Sequence, residues 1–190
     1  MMFTKVFKVV DMKRAILLIA LIIPMMLFAQ EDSEKKQTKF EQFVSKTGKI
    51  SKFVDVNMPK LGYLETSIRT ILGEDKNAYF YRIEKPETSS TNSRIAMIEY
   101  SDLTEINKAL TKLLSEDAAD CASNPDYLEN RFITEDGFRI GYYVNNGKAN
   151  WFIRLERYNN STIFLKKEVL AENFPAAQKK IEELKATNGK

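Results

Sequence analysis

Five carboxylates crowd the stretch just past the middle of the chain: Glu116, Asp117, Asp120, Asp126 and Glu129. Acids at this density on an irregular loop are the kind of donor set that calcium uses, since it gathers roughly six to eight oxygen ligands. In that role Asp117, Asp120 and Asp126 would be the ligands. Their spacing departs from the alternating acidic loop with a central glycine, and a solvated acidic loop is the preferred reading. Two carboxylates are also the minimum for glycoside hydrolysis. A hydrolase without histidine would draw on Asp120, Asp126 or Glu135, or on a Ser–Lys pair, for which no flanking motif is present.

A second set could recognise rather than react. Tyr79, Phe80, Tyr81, Tyr142, Tyr143, Trp151, Phe152 and Tyr158 lie in strand-like runs. Neighbouring residues of a strand point to opposite faces. If helices cover one face, Phe80, Tyr143 and Phe152 fall on the other, with Arg82, Arg139 and Arg154 at matching parity. Aromatics and arginines together mark partner surfaces. The ligand or partner site is therefore expected at Phe80, Arg82, Tyr143, Phe152 and Arg154. The competing reading is that a second layer, Phe40 to Val56, covers these rings.

Two absences narrow the chemistry further. There is no histidine, which removes the commonest general base and metal ligand and excludes triads built on it. There is one cysteine, Cys121, so the chain holds no internal disulfide and no thiolate metal cluster. Cys121 is either a small buried residue or a free thiol able to link two chains. No catalytic residue, resident metal or cofactor is assigned.

Lys13-Arg14 followed by the apolar run Ala15–Ala29 and then Gln30-Glu31-Asp32 has the layout of a secretory signal peptide. The run includes Pro24 and falls short of the roughly 20 apolar residues of a membrane helix. Residues 1–29 are expected to be the signal, with Met12 as the alternative start, and 30–39 a polar lead-in to a single domain over 40–190. This places the chain in the periplasm or outside the cell, with no stable membrane span after cleavage. Residues 1–30 hold four of the 29 cations and one of the 26 anions, so 25 of each remain. A nucleic-acid binder would keep a cationic excess, so nucleic acid is disfavoured.

The elements that must position these groups are mostly strands. Phe40–Ser45 and Lys49–Val56 flank Thr47-Gly48 as a hairpin. Tyr63–Leu72, Ala78–Glu84 and Arg94–Tyr100 read as further strands. Leu103, Ile106, Leu110 and Leu113 recur at helical spacing, which predicts a helix over Leu103–Ser115 capped by Asp102 and Glu105, with Glu116–Pro125 as an acidic connection. Asp136-Gly137, Asn146-Gly147 and Asn159-Asn160 then separate four runs. Such dipeptides tolerate the positive φ of tight hairpin turns, so the second half predicts a four-stranded antiparallel meander. A last helix is expected from Phe174, with Pro175 in its first turn and Glu168–Asn173 as an irregular lead.

The sequence thus predicts an α+β domain: an antiparallel sheet with two amphipathic helices on one face, and a rough two-fold pseudo-repeat. The expected function is an exported, non-enzymatic binding domain of the cell envelope, recognising a protein, peptide or small ligand. The alternatives are an envelope assembly factor that self-associates, through Cys121, and the histidine-free hydrolase.

Overall fold

The computed structural model describes residues 36–188 except 46–47, 75, 87–93 and 158–160. The described residues from 37 onward form one compact unit. The signal-peptide segment, the Thr47 end of the first expected hairpin and the Asn159-Asn160 turn lie outside the described residues. Among the described residues no helix is long and apolar enough to cross a membrane.

The fold is α+β with antiparallel sheets. A short helix α1 (Lys39–Val44) precedes strands β1 (Lys52–Leu61), β2 (Leu64–Leu72), β3 (Asn77–Lys85) and β4 (Arg94–Glu99) and the long helix α2 (Tyr100–Ser123). Then follow β5 (Leu128–Ile133), β6 (Arg139–Asn145), β7 (Lys148–Arg154), the two-residue β8 (Ile163–Phe164) and helix α3 (Lys167–Asn188). The strands form two four-stranded sheets, β1-β2-β3-β4 and β5-β6-β7-β8, rather than one. The order of four strands then one long helix occurs twice, with no shared residue pattern.

The second sheet follows its turn chemistry. Asn146 and Gly147 both have positive φ, and the turn closes on the pair Asn145–Lys148. This is the geometry that Asn-Gly supplies at least cost. Gly137 also has positive φ, and a Cβ there would lie 2.7 Å from Arg157 Cα.

Both long helices share one hydrophobic core with both sheets. Tyr81, Ile98, Leu103, Ile106, Tyr142, Trp151, Phe174 and Ile181 belong to the same buried cluster. Helix α2 touches both sheets, while α3 lies against β1, β2 and β3. Tyr81 meets Phe174 edge to face at 5.6 Å between ring centroids, the arrangement aromatic quadrupoles prefer.

Three expectations need correction. Phe40–Ser45 is helical over Lys39–Val44, because Thr38 and Glu41 form a reciprocal capping box, a local signal stronger than the short apolar pattern. Helix α2 starts at Tyr100 and is capped by Glu99, whose carboxylate accepts from Ser101 N–H; Asp102 instead pairs with Lys39 at 2.5 Å. It also runs through the expected acidic connection to Ser123, and ends where Asn124 turns left-handed ahead of Pro125. Helix α3 begins at Lys167, so Pro175 lies inside it. An interior proline costs about 3 kcal/mol. Leu170, Phe174, Ala177 and Ile181, all fully buried, form one face that offsets this.

Candidate binding site

The second sheet has two unlike faces. Ile140, Tyr142, Val144, Trp151 and Ile153 point to the helices and are buried in the core. Side chains of opposite parity point away from it: Glu129 and Arg131 on β5, Arg139 and Tyr143 on β6, Phe152 and Arg154 on β7, and Phe164 on β8. The register places Gly141 between Arg131 and Phe152, and Phe152 beside Phe164. Gly141 is needed there, since a Cβ would lie 2.2 Å from the Asn130 carbonyl oxygen. The missing side chain lets Phe152 fill the space over the strand, as aromatics do beside sheet glycines.

Phe152 is only 1% exposed. The Arg154 guanidinium lies 5.5 Å from the centre of its ring, and Arg154 Nε donates to Thr162 Oγ1 at 3.0 Å. Tyr143 packs edge to face on Phe164 at 6.0 Å. Around this covered ring, Tyr127, Ile133 and Phe164 remain 68%, 44% and 55% exposed.

The charges on this face are partly paired. Arg131 Nη1 donates to Glu129 Oε1 at 2.6 Å, and the Tyr127 hydroxyl donates to the other Glu129 oxygen. The Tyr127 hydroxyl, with Arg131 and Arg154 nearby, holds the Glu129 carboxyl below its ordinary value. Arg139 and Arg154 stand directly opposite each other across β6 and β7. Their side chains take separate partners, Arg139 the Arg157 carbonyl and Arg154 the Thr162 hydroxyl, and both add positive charge to this face.

The five expected site residues are therefore not one surface. Tyr143, Phe152 and Arg154 share the outer face of the second sheet, while Phe80 and Arg82 belong to the first. Phe80 is 1% exposed, with its ring 5.5 Å from that of Phe40, so α1 covers it. Arg82 pairs with Glu84 at 2.6 Å. Phe80 and Phe152 present no ring surface to a ligand in this arrangement, because each is already packed. Tyr127, Ile133 and Phe164, which are open, carried too weak a sequence signal to be singled out, since each sits at a strand end beside another apolar residue and reads as part of a core run.

The acidic stretch is structural in its first part. Asp117 is buried and pairs with Lys167 Nζ at 2.8 Å. Asp120 accepts from the Tyr142 hydroxyl at 2.6 Å, and Asn130 Nδ2 bridges that hydroxyl, at 3.3 Å, and Glu116, at 2.9 Å. Burial, reinforced by Asp120, pushes the Tyr142 phenol upward. Asp126 is exposed beyond the end of α2. Among the described residues no three His, Cys, Asp or Glu side chains are grouped to hold a metal. Asp126 and Glu135 flank opposite ends of β5, so about 20 Å of strand separates them. That span exceeds the separations at which paired carboxylates cleave glycosides.

Beside this sheet an open groove of about 730 Å³ runs between α2, β7, β8 and the first turn of α3. Ala118, Cys121, Trp151, Phe164 and Leu165 form its apolar part, and Lys148, Lys166 and Lys167 its cationic part. Cys121 is a free, half-buried thiol.

No protein family, curated protein or solved structure matches the chain.

Proposed function

We propose that the chain is an exported, non-enzymatic binding domain that holds an acidic protein partner on the outer face of its second sheet. One observation carries this reading: Tyr127, Ile133 and Phe164 stay exposed around an arginine-capped aromatic centre. Aromatic residues and arginine are the types that dominate binding energy at interfaces. Opposed Arg139 and Arg154 favour an acidic partner. Export rests on the Lys13-Arg14 and Ala15–Ala29 pattern.

Site-specific crosslinking tests the reading. A photoreactive phenylalanine analogue is placed at Phe164, at Ile133, or at exposed Tyr63 in the β1–β2 turn, and the cells that make the protein are irradiated. A discrete adduct is expected from positions 164 and 133 and not from 63. Adducts absent from 164 and 133, or equal from all three, would refute it.

A second reading, self-association, is favoured by β1. Among the described strands this ten-residue edge strand pairs only with β2, and it carries exposed Phe53 and Val54 with Ile50 just before it. Long apolar edges invite strand pairing. Light scattering on the protein and on Phe53→Lys decides this: a dimer lost in the variant supports it, and a monomeric parent excludes it.

A further inference from the structure

The groove beside β7 has a wall of a particular kind. β8 pairs with β7 only at Phe152 and Ile153, and Leu165 N–H adds a bond to the Trp151 carbonyl at 3.1 Å. The chain then turns away into α3. Backbone groups alternate sides along a strand, so the Trp151 carbonyl fixes the direction for the rest of β7. The N–H and C=O of Ala149 point the same way, away from β6 and toward the groove. Among the described residues, β7 along Lys148–Asn150 carries a ladder partner on its β6 side and none on this one.

We propose that the groove takes an extended acidic peptide segment, added as a short strand along Lys148–Asn150. Strand addition draws affinity from main-chain hydrogen bonds and specificity from side-chain pockets. Ala149 supplies a donor and an acceptor with the required direction. Leu165 and Phe164 supply an apolar wall for side chains of the added segment, with Trp151 buried behind it. Charge selects the acid. Lys167 is engaged by Asp117, but Lys148 and Lys166 are exposed without an ion-pair partner among the described residues. Glu168 is the one opposing charge on the lining outside that pair.

Two unique residues in the groove report occupancy. Trp151 is the only tryptophan and Cys121 the only cysteine in the chain. The probe is the blocked peptide acetyl-Glu-Val-Thr-Val-Glu-amide, titrated into the whole protein while Trp151 fluorescence is followed. A saturable change is expected below about 1 mM, the weak end of specific binding, with Cys121 alkylation slowed at saturation. Methylating the central backbone amides of the probe should weaken binding about tenfold, the worth of one well-formed hydrogen bond. Ala149→Pro should do the same, because proline at an edge-facing position removes a donor and spares the β6 ladder. Reversing both free lysines, Lys148→Glu with Lys166→Glu, should weaken it by at least as much.

No saturable change would overturn the proposal, as would equal binding of the methylated and unmethylated probes. If Ala149→Pro fails to fold, the methylated probe still separates the two outcomes. Decanoate binding more tightly than the peptide, and undiminished in Ala149→Pro, would overturn it in favour of a small amphiphile.

Discussion

Replacing Gly141 by alanine should destabilise the protein even though alanine is the commoner strand residue. Gly141 does not have positive φ, so no conformational penalty attaches to the change. Space decides the outcome. An added Cβ would sit 2.2 Å from Asn130 O, 2.7 Å from Arg131 Cα and 2.8 Å from Arg131 Cβ. Carbon and carbonyl oxygen normally approach to about 3.3 Å, so β5 must retreat by roughly 1 Å. Two of the three obstacles are backbone atoms, which cannot swing aside as a side-chain terminus can. β5 is also tethered, because Asn130 donates to both Glu116 and Tyr142.

Overpacking of this type costs about 1–3 kcal/mol, and the rigid obstacle places Gly141→Ala at the upper end. Lost freedom of the unfolded chain returns about 0.4–1 kcal/mol. The net is a destabilisation of about 2 kcal/mol, which for a domain of this size lowers Tm by roughly 4–8 °C. Urea unfolding followed by Trp151 fluorescence measures it. A variant as stable as the parent would show that β5 does not approach Gly141 this closely, and the explanation of how Phe152 comes to lie over the strand would fall with it.

Phe152→Ala should cost about 3–5 kcal/mol, since it empties a fully buried aromatic site, whereas Phe164→Ala should stay within about 1 kcal/mol because its ring is half in solvent. Thermal melts of the two distinguish a packed ring from a presented one, and a Phe152→Ala melt matching the parent would refute the burial of that ring. Asp117→Asn removes the partner of Lys167, whose ammonium is held above its ordinary 10.5 by the hydrogen bond to Asp117. The stabilisation is fully present below that ordinary value and is lost as pH rises through the raised one. The variant should therefore be less stable at neutral pH by about 1 kcal/mol at most, given solvent screening at Lys167. The gap should close in strong base; a gap independent of pH refutes the pairing. Tyr127→Phe should let the Glu129 carboxyl rise toward its ordinary value. In the parent this group favours folding above that value and loses its contribution as pH falls through the lowered one. Carboxyl-carbon NMR titration reads the change, and an unmoved Glu129 would show that Tyr127 does not reach it.

The second sheet was legible because its turns are chemically explicit. Asn146-Gly147 and Asp136-Gly137 mark where the chain reverses, and alternation between them assigns faces. The first half spoke less clearly. Residues 40–45 are apolar enough for a strand, and only the Thr38–Glu41 capping pair reveals a helix. The C-terminal part of α2 hides for the opposite reason. After Leu113 polar residues interrupt its inward face, and Asp117 and Asp120 are satisfied there by Lys167 and Tyr142, from α3 and β6. Hydrophobic period carries no trace of a partner that is remote in sequence. The same limit divides the strands between two sheets, since alternation fixes which face a residue takes but not which sheet its strand joins.

The candidate site shows how far parity reaches. Alternation places Tyr143, Phe152 and Arg154 on one face, and the register confirms that they share it. It also gives Phe80 and Arg82 the outer face of their own sheet, yet α1 lies over Phe80 and leaves the equivalent side of the second sheet open. What separates the two faces is the position of one six-residue helix, tied down by Lys39, whose N–H donates to Asp136 at 3.0 Å and whose ammonium pairs with Asp102. Those contacts join residues some sixty and a hundred positions apart. Which of the two aromatic faces carries a covering helix is therefore decided by long-range polar contacts at the start of the domain, not by the strands that carry the rings.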